Sequence, residues 1–417
     1  MSILRLVAVG LLLLAGTVQG QDLADRVTEA SLANGMRVIL VEDPVAPVVA
    51  ITLAFPVGGV DEPAGLGGIA HMVEHMAFKG TPTIGSVDPE AERRALERVE
   101  IEALALRWVR ENGSEEEVTR TLERFEEARQ AAQALAHPGP IDELLSTAGA
   151  VGLNAFTSYD MTGYVVELPA NQLELYARIY ADVLVNTTYR YFYEERDVVR
   201  QERRQSSEDD PQGFLFEAFL GEAFPDSPYG RPLIGSAEEI EDYLATEAAA
   251  FFEHFYGPQD AVLVVVGDVD PERDLEILER YFGALPPGPE TLPRPAVTHA
   301  AHSEGRITVT YEAQPQIAMG WRKPTYPARD AYVLDLVNAL LTGGRTSRLY
   351  ERLVLEEGTA LDVFSTSAFP GIRLANVFVV LAQPRSPHGP EEIEAAVLEE
   401  LERLAAEPVP EEELAKV

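Results

Sequence analysis

His71-Met72-Val73-Glu74-His75 constrains this chain more than any other stretch of it. If the stretch is helical, the two histidines stand at i and i+4, one above the other on one face, and both imidazoles reach a single metal ion. Glu74 sits one residue before the second histidine, close enough to reach a water on that metal. Ligands and a base are what metal-assisted hydrolysis requires. The flanks agree with a helix: Gly65-Leu66-Gly67-Gly68 leads in, and Lys79-Gly80-Thr81-Pro82 supplies the glycine and proline that stop it.

Composition narrows the chemistry. The chain has no cysteine, so disulfides and thiolate metal sites are excluded and any zinc must use histidine and carboxylate ligands. With 33 Lys+Arg against 69 Asp+Glu, a formal charge of -36 argues against a nucleic-acid partner, because phosphate binding needs basic patches. A length of 417 residues allows two or three domains. Residues 1–20 read as a secretory signal peptide: Arg5 precedes the apolar run Leu6 to Gly16, and Val18-Gln19-Gly20 offers a small-residue cleavage pattern. An uncleaved anchor is the alternative, but the run is short of the about 20 apolar residues a span needs. No later segment is apolar enough, so no stable membrane span is expected once the signal is removed.

Taken in order, Met36 to Glu42 and Val48 to Pro56 are β-rich runs, expected as a hairpin or two neighbouring strands. Residues 88–140 read as an acidic, Arg-rich helical hairpin inserted in the first domain, with a capping box from Ser114 and Glu117. Its charges suggest a solvated or partner-facing projection. Gly149 to Leu168 gives two antiparallel strands joined around Tyr159-Asp160, followed by a helix from Asn171 to Leu184. Glu194 to Ser206 is a charged helix with Val198 and Val199 expected on its buried side. On it, Glu195 and Glu202 are seven apart and point the same way, which makes them candidates for the missing metal ligand.

Ala261 to Val269 reads as a strand and Pro271 to Tyr281 as a helix. A Pro-rich linker over 286–305 then separates the N-terminal domain, 21–285, from a second over 306–417. In the latter, Arg306 to Tyr311 opens the domain, Asp330 to Leu341 is a helix, Gly343-Gly344 starts another helical segment, and Ile372 to Leu381 is a strand. The order strand, strand, helix recurs in both halves and suggests a weak duplication. Asn338-Ala339-Leu340-Leu341 stands where the metal helix would be. The second copy is short and reads as incomplete. The fold class expected is α+β: two homologous α/β-sandwich domains, mostly antiparallel.

The five-residue motif is the inverse of the commoner H-E-x-x-H zinc-protease spelling. Together with Gly67 to Thr81, Gly152 to Tyr164, Glu195 to Glu202, Ser227-Pro228-Tyr229-Gly230, Val264 to Pro271 and Gly343 to Leu353, it resembles the pitrilysin or insulinase family of inverted-motif zinc peptidases, especially its processing-peptidase branch. The resemblance implies one zinc per chain held by His71, His75 and Glu202, with Glu74 as general base. It implies that Glu195 steadies the site as a carboxylate behind the ligands. It also implies that Asn154, Ala155, Phe156 and Thr157 form the edge strand to which an extended peptide substrate adds.

One departure matters. Family members that work alone or as homodimers carry an Arg and a Tyr seven apart in the second domain, and those positions here are Val354 and Leu361. Neither side chain can donate a hydrogen bond; Arg352 or Tyr350 would substitute only from a shifted register. The expectation is a zinc endopeptidase, periplasmic or secreted, working with a homologous partner subunit that supplies the Arg and Tyr. The competing expectations are a non-catalytic scaffold subunit and an acidic peptide-binding module. The latter needs a structural zinc, and structural sites normally have four protein ligands.

Overall fold

The computed structural model describes residues 23–289 and 304–417; the expected signal peptide and most of the Pro-rich linker lie outside them. A six-stranded sheet is built from β1 (Val27–Ser31), β2 (Arg37–Glu42), β3 (Val48–Phe55), β4 (Val151–Thr157), β5 (Thr162–Pro169) and β6 (Val262–Gly267), in the order β1-β2-β6-β3-β5-β4. Strand alternation decides which face is covered: Val49, Ile51, Leu53 and Phe55 of β3 are buried while Val48 and Ala50 are exposed. All pairings are antiparallel except β2 with β6.

The expected adjacency of the first two β-rich runs is corrected here. β6 sits between β2 and β3, parallel to the former. Its run Val262 to Val266 is wholly apolar and takes a central place, and a parallel neighbour is reached only through a long crossover, which local pattern cannot reveal.

Helix α1 (Ile69–Met76) packs on the buried face, with Ile69, Ala70, Met72, Val73 and Met76 in the core. Helices α2 (Pro89–Asn112) and α3 (Glu115–Gln133) form the expected hairpin, and Ser114 and Glu117 make the capping box. The hairpin is not a free projection. Val99, Ala103, Leu106, Phe125, Ala128 and Ala132 are buried in the same core as the sheet. Charge composition hid this, because the apolar positions form a narrow stripe on otherwise charged helices.

A second sheet has the order β7-β9-β8, from β7 (Ile317–Lys323), β8 (Ala360–Phe369) and β9 (Asn376–Pro384), all antiparallel. Arg306 to Tyr311 carries no regular structure. The expected strand start at Ile372 is also too early: residues 370–375 form a loop, and β9 begins at Asn376. Central β9 is covered on both sides. Phe378, Val380 and Ala382 face the helices Arg329–Thr342 and Pro390–Ala406, whereas Val377, Val379 and Leu381 pack against Tyr159, Leu220, Phe224 and Tyr229 of the first unit. The two units therefore share an apolar seam.

Candidate metal centre

The entry to α1 is built to expose one face of the helix. Gly68, its N-cap, has φ +87°, and a Cβ there would collide with the Ile234 carbonyl, so both conformation and space require glycine. With no side chain of its own, Gly68 cannot cap the helix. Glu62 does so instead: its carboxylate accepts from the Gly68 N–H at 2.8 Å and the Ala70 N–H at 3.0 Å. Burial pushes the Glu62 carboxyl up to about 8, against the opposing pull of those two amides and Arg231. Gly67 is gripped from the other side by Glu239, which accepts its N–H at 3.0 Å, and by the Tyr243 hydroxyl on its carbonyl.

With Met72, Val73 and Met76 in the core, His71 and His75 turn toward the helix Phe192–Arg203, and Glu74 reaches Thr157 of β4. The structure brings His71, His75 and Glu202 together. Glu202 Oε2 lies 3.7 Å from Nε2 of each histidine, and the three ligand atoms are all within 4.8 Å of one another. Among the described residues no other group of three or more His, Asp or Glu side chains is so disposed.

Glu195 lies beside His75. Its Oε2 is 3.1 Å from His75 Nδ1, and Lys79 Nζ donates to its Oε1 at 2.5 Å. An Nδ1–H donated to a carboxylate leaves the Nε2 lone pair toward the cluster, the arrangement that orients a metal-binding imidazole. Burial alone would raise Glu195, but the bonds from His75 and Lys79 hold its pKa below the usual range. Burial works to lower His75 too, yet the Glu195 bond and the surrounding carboxylates outweigh it and raise its pKa. His71 has no such support: its Nδ1 is buried with no hydrogen-bond partner. Burial, then the charge of His75, lowers His71 to about 4, so it is a neutral imidazole at physiological pH, the form that binds a metal.

Glu74 is buried at 8% exposure, and Thr157 Oγ1 donates to its Oε2 at 2.5 Å. Burial raises the Glu74 pKa, opposed by Thr157 and His75. Asn154, Ala155, Phe156 and Thr157 lie on β4, the edge strand of the sheet. Phe156 is half exposed and its ring covers the backbone of Gly163.

The helix carrying Glu195 and Glu202 buries Phe192, Tyr193 and Val199, but Val198 is 43% exposed, contrary to expectation. At 100° per residue Val198 falls beyond the Glu195–Glu202 edge, away from the core. The insert holds this helix in place. Arg129 of α3 donates to Glu194 at 3.0 Å, Tyr193 donates to Glu100 of α2 at 2.6 Å, and the rings of Phe125 and Tyr193 meet edge to face. At its entry, fully buried Arg190 pairs with buried Glu92 of α2 and donates to the carbonyls of Thr81 and Ile84, beyond the end of α1. Lys79 and Arg190 escaped sequence reasoning because their partners are distant, and Glu62 because its bonds to Gly68 and Ala70 follow no helical or strand spacing; the glycine cap of α1 was the one available signal that a foreign acceptor was needed.

In this set of two imidazoles and a carboxylate, the Glu202 oxygen lies 3.7 Å from each histidine Nε2, close to the roughly 3.4 Å spacing of tetrahedral ligands around zinc, and all three donor atoms fall within 4.8 Å of one another. The donor set thus fits the ion. The side chains expected to be missing from the second unit are also accounted for. Arg352 is committed to Glu357 and Glu399, Tyr350 and Val354 pack on the second core, and Leu361 is half exposed.

Comparison with known proteins gives a consistent answer. The family profile described as Insulinase (Peptidase family M16) matches residues 37–97 and 114–237, its gap falling within the helical insert, and that described as Peptidase M16 inactive domain matches residues 244–417. The zinc protease PqqE of Helicobacter pylori is 24% identical over 422 residues, covering 100% of this chain and 83% of the relative. A crystal structure of a protease from Helicobacter pylori superposes with a TM-score of 0.71 at 23% identity, covering 94% of this chain and 82% of that one. The periplasmic protease PqqL of Escherichia coli gives 0.66 at 19% identity, covering 94% of this chain and 39% of that one. These structures share the fold of two linked units; with the two family profiles together spanning well over half of its length, the chain belongs to the insulinase family of peptidases, family M16.

Proposed function

We propose that the protein is a zinc-dependent endopeptidase that hydrolyses extended peptides or unfolded segments with Glu74 as the base. The observation that carries this reading is the convergence of His71, His75 and Glu202 beside a buried, hydroxyl-held Glu74. Zinc, held by those three residues, would act as a Lewis acid and bring water toward ionisation near neutral pH. The rest falls to the chain's own groups. Glu195, fixed by Lys79, keeps His75 in its ligating tautomer. Thr157 occupies Oε2 of Glu74 and leaves Oε1 to take a proton from the attacking water and return it to the departing amine nitrogen as the C–N bond breaks. A carboxyl raised by burial suits that exchange near neutrality. The free edge of β4 offers backbone N–H and C=O groups from Asn154 to Thr157, which select an extended peptide for its backbone.

A homologous partner subunit supplying an Arg and a Tyr completes the proposal, since Val354 and Leu361 stand at the positions of that pair. Export to the periplasm or beyond is part of it. No helix among the described residues is long and apolar enough to cross a membrane, and the relative PqqL is a periplasmic protease. The match of residues 244–417 to an inactive domain favours one other reading, a non-catalytic subunit of a family heterodimer.

The test is cleavage of a quenched, unstructured peptide library by the full chain, alone and with a homologous partner, with Glu74→Gln as control and zinc content measured. Turnover abolished by Glu74→Gln with one zinc per chain retained is expected. Zinc bound with no turnover in either condition would replace the enzyme with the scaffold.

A further inference from the structure

The loop between β8 and β9, residues 370–375, leaves the second unit and reaches into the first. Its Arg373 forms a two-pronged pair with Asp61, Nη1 to Oδ2 at 2.9 Å and Nη2 to Oδ1 at 3.0 Å, and Nη1 also donates to the carbonyls of Pro56 and Asp160, both at 3.1 Å. Such fork-to-fork pairs fix direction as well as distance. The backbone follows: the N–H groups of Ile372 and Arg373 donate to Asp160 Oδ2 at 2.5 and 3.1 Å. The Tyr229 hydroxyl donates to Asp160 Oδ1 at 2.7 Å and accepts from the Arg373 N–H at 3.1 Å. A Cβ at Gly371 would collide with the Asp160 carboxylate, so the loop approaches as closely as a chain can.

What this clasp holds is informative. Asp61 adjoins Glu62, the cap of the helix that carries His71, Glu74 and His75. Asp160 lies in the turn immediately after Thr157, whose hydroxyl holds Glu74. One guanidinium therefore ties together the two segments that meet at Glu74, one bearing the carboxylate and the other its hydrogen-bond donor. The apolar seam of β9 already joins the units, so adhesion alone would not require these directional bonds.

We propose that Arg373 is a positioning residue for hydrolysis: it sets the angle between α1 and the β4–β5 turn, and through it the second unit, which lacks ligands and base, contributes to the rate. The proposal rests on the peptidase reading for its kinetic arm and is independent of it for its exchange arm. Displacements of about 1 Å at a reacting group cost large factors in rate.

The experiment uses the full-length, zinc-loaded chain with Arg373→Ala, Arg373→Lys and the milder Tyr229→Phe. Peptide kcat and KM, zinc content and amide hydrogen exchange are measured for each. In Arg373→Ala, kcat should fall at least about tenfold, with KM within about twofold and zinc unchanged. Added guanidinium should restore part of the loss, and Arg373→Lys, which keeps charge without the fork, should fall between. Exchange should quicken at Ser158 to Met161, where Arg373 bonds Asp160 directly, and also at Gly68 to Ala70, which Arg373 reaches only through Asp61 and its neighbour Glu62. A kcat within twofold of wild type, or a KM change alone, overturns the positioning role. If the wild-type chain proves inactive, exchange decides: faster exchange that does not reach Gly68 to Ala70 sinks the proposal, and faster exchange at Gly68 to Ala70 upholds the coupling. Should Arg373→Ala fail to fold, Tyr229→Phe must show the same pattern at smaller amplitude, and its absence counts against the proposal.

Discussion

In the first unit the order β3, α1, β4, β5 and the helix Leu173–Asn186 yields the sheet neighbours β3-β5-β4; in the second, β7, the helix Arg329–Thr342, β8, β9 and the helix Pro390–Ala406 yield β7-β9-β8. The parallel extends to single bonds. Where Thr157 of β4 donates to Glu74 of α1, Ser365 of β8 donates to Asn338 of the facing helix at 2.7 Å, and Ser367 donates to Asp335. A hydroxyl on the third element of each repeat thus holds a polar side chain on the second. In the first unit that side chain stands beside two histidines and a helix bearing Glu195 and Glu202. In the second it is an amide within a closed Thr342–Ser365–Asn338 network. On the proposed reading the hydroxyl-held side chain would be a base in the first copy and packing in the second, so the chemistry would depend on what surrounds the bond.

That contrast is broken most directly by exchanging acceptors. Glu74→Gln should lower kcat by about 10²–10⁴-fold, the usual worth of a general base, with zinc retained. Asn338→Ala should leave kcat within twofold and cost only about 1 kcal/mol of stability, read by denaturant unfolding. A comparable loss of turnover in both would mean that the second unit shares the chemistry.

The next largest effect concerns how each unit fixes its helices. Arg190 and Glu92 are 1% and 2% exposed, and the pair anchors the helix Phe192–Arg203 to the insert. Arg190→Ala should cost about 3–5 kcal/mol, because Glu92 would be left buried and unpaired. Arg348, which pairs with Glu400 and Glu413 at 11% exposure, is the nearest counterpart in the second unit, and its removal should cost less. Thermal unfolding of the two variants checks the ranking.

These two comparisons also show what was legible beforehand. His71, Glu74 and His75 could be read because the helix repeat alone brings them together. Glu195 and Glu202 could be put forward as candidates because the motif leaves a metal short of one ligand, but choosing Glu202 took the family resemblance, since helical spacing says which face the two share and not what that face meets. Lys79 looked like a helix stop, Thr157 like substrate strand and Arg190 like nothing, because each acquires its role from a partner remote in sequence. The apolar periodicity of Ile372 and Leu374 extended the expected strand through the loop that Arg373 uses as a clasp.

Metal removal should separate the units in a third way. A ligand at 100 times its Kd stabilises the folded state by about 2.7 kcal/mol, so chelation should lower the unfolding midpoint accordingly. Hydrogen exchange should localise the loss to α1 and the helix Phe192–Arg203, leaving the helix Arg329–Thr342 unchanged. Equal loosening of both units would instead indicate that the seam at β9 makes them one cooperative body.

The smallest effect tests the shared hydroxyl bond itself. Thr157→Val keeps shape and β-branching but removes the donor to Glu74. The freed carboxylate loses its orientation and one stabilising bond; kcat should fall about tenfold, the equivalent of about 1.4 kcal/mol, while zinc stays bound. Loss of the donor should also move the acidic limb of activity, where Glu74 takes up a proton and ceases to act as base, to higher pH, because the Thr157 bond lowers the Glu74 pKa against the raising effect of burial. Ser365→Ala removes the matching donor in the second unit and should cost about 1 kcal/mol of stability with kcat and its pH profile unmoved. A bond that only packed its helix against its strand would give the same result in both copies; a bond that tunes a base must give a kinetic effect in one alone.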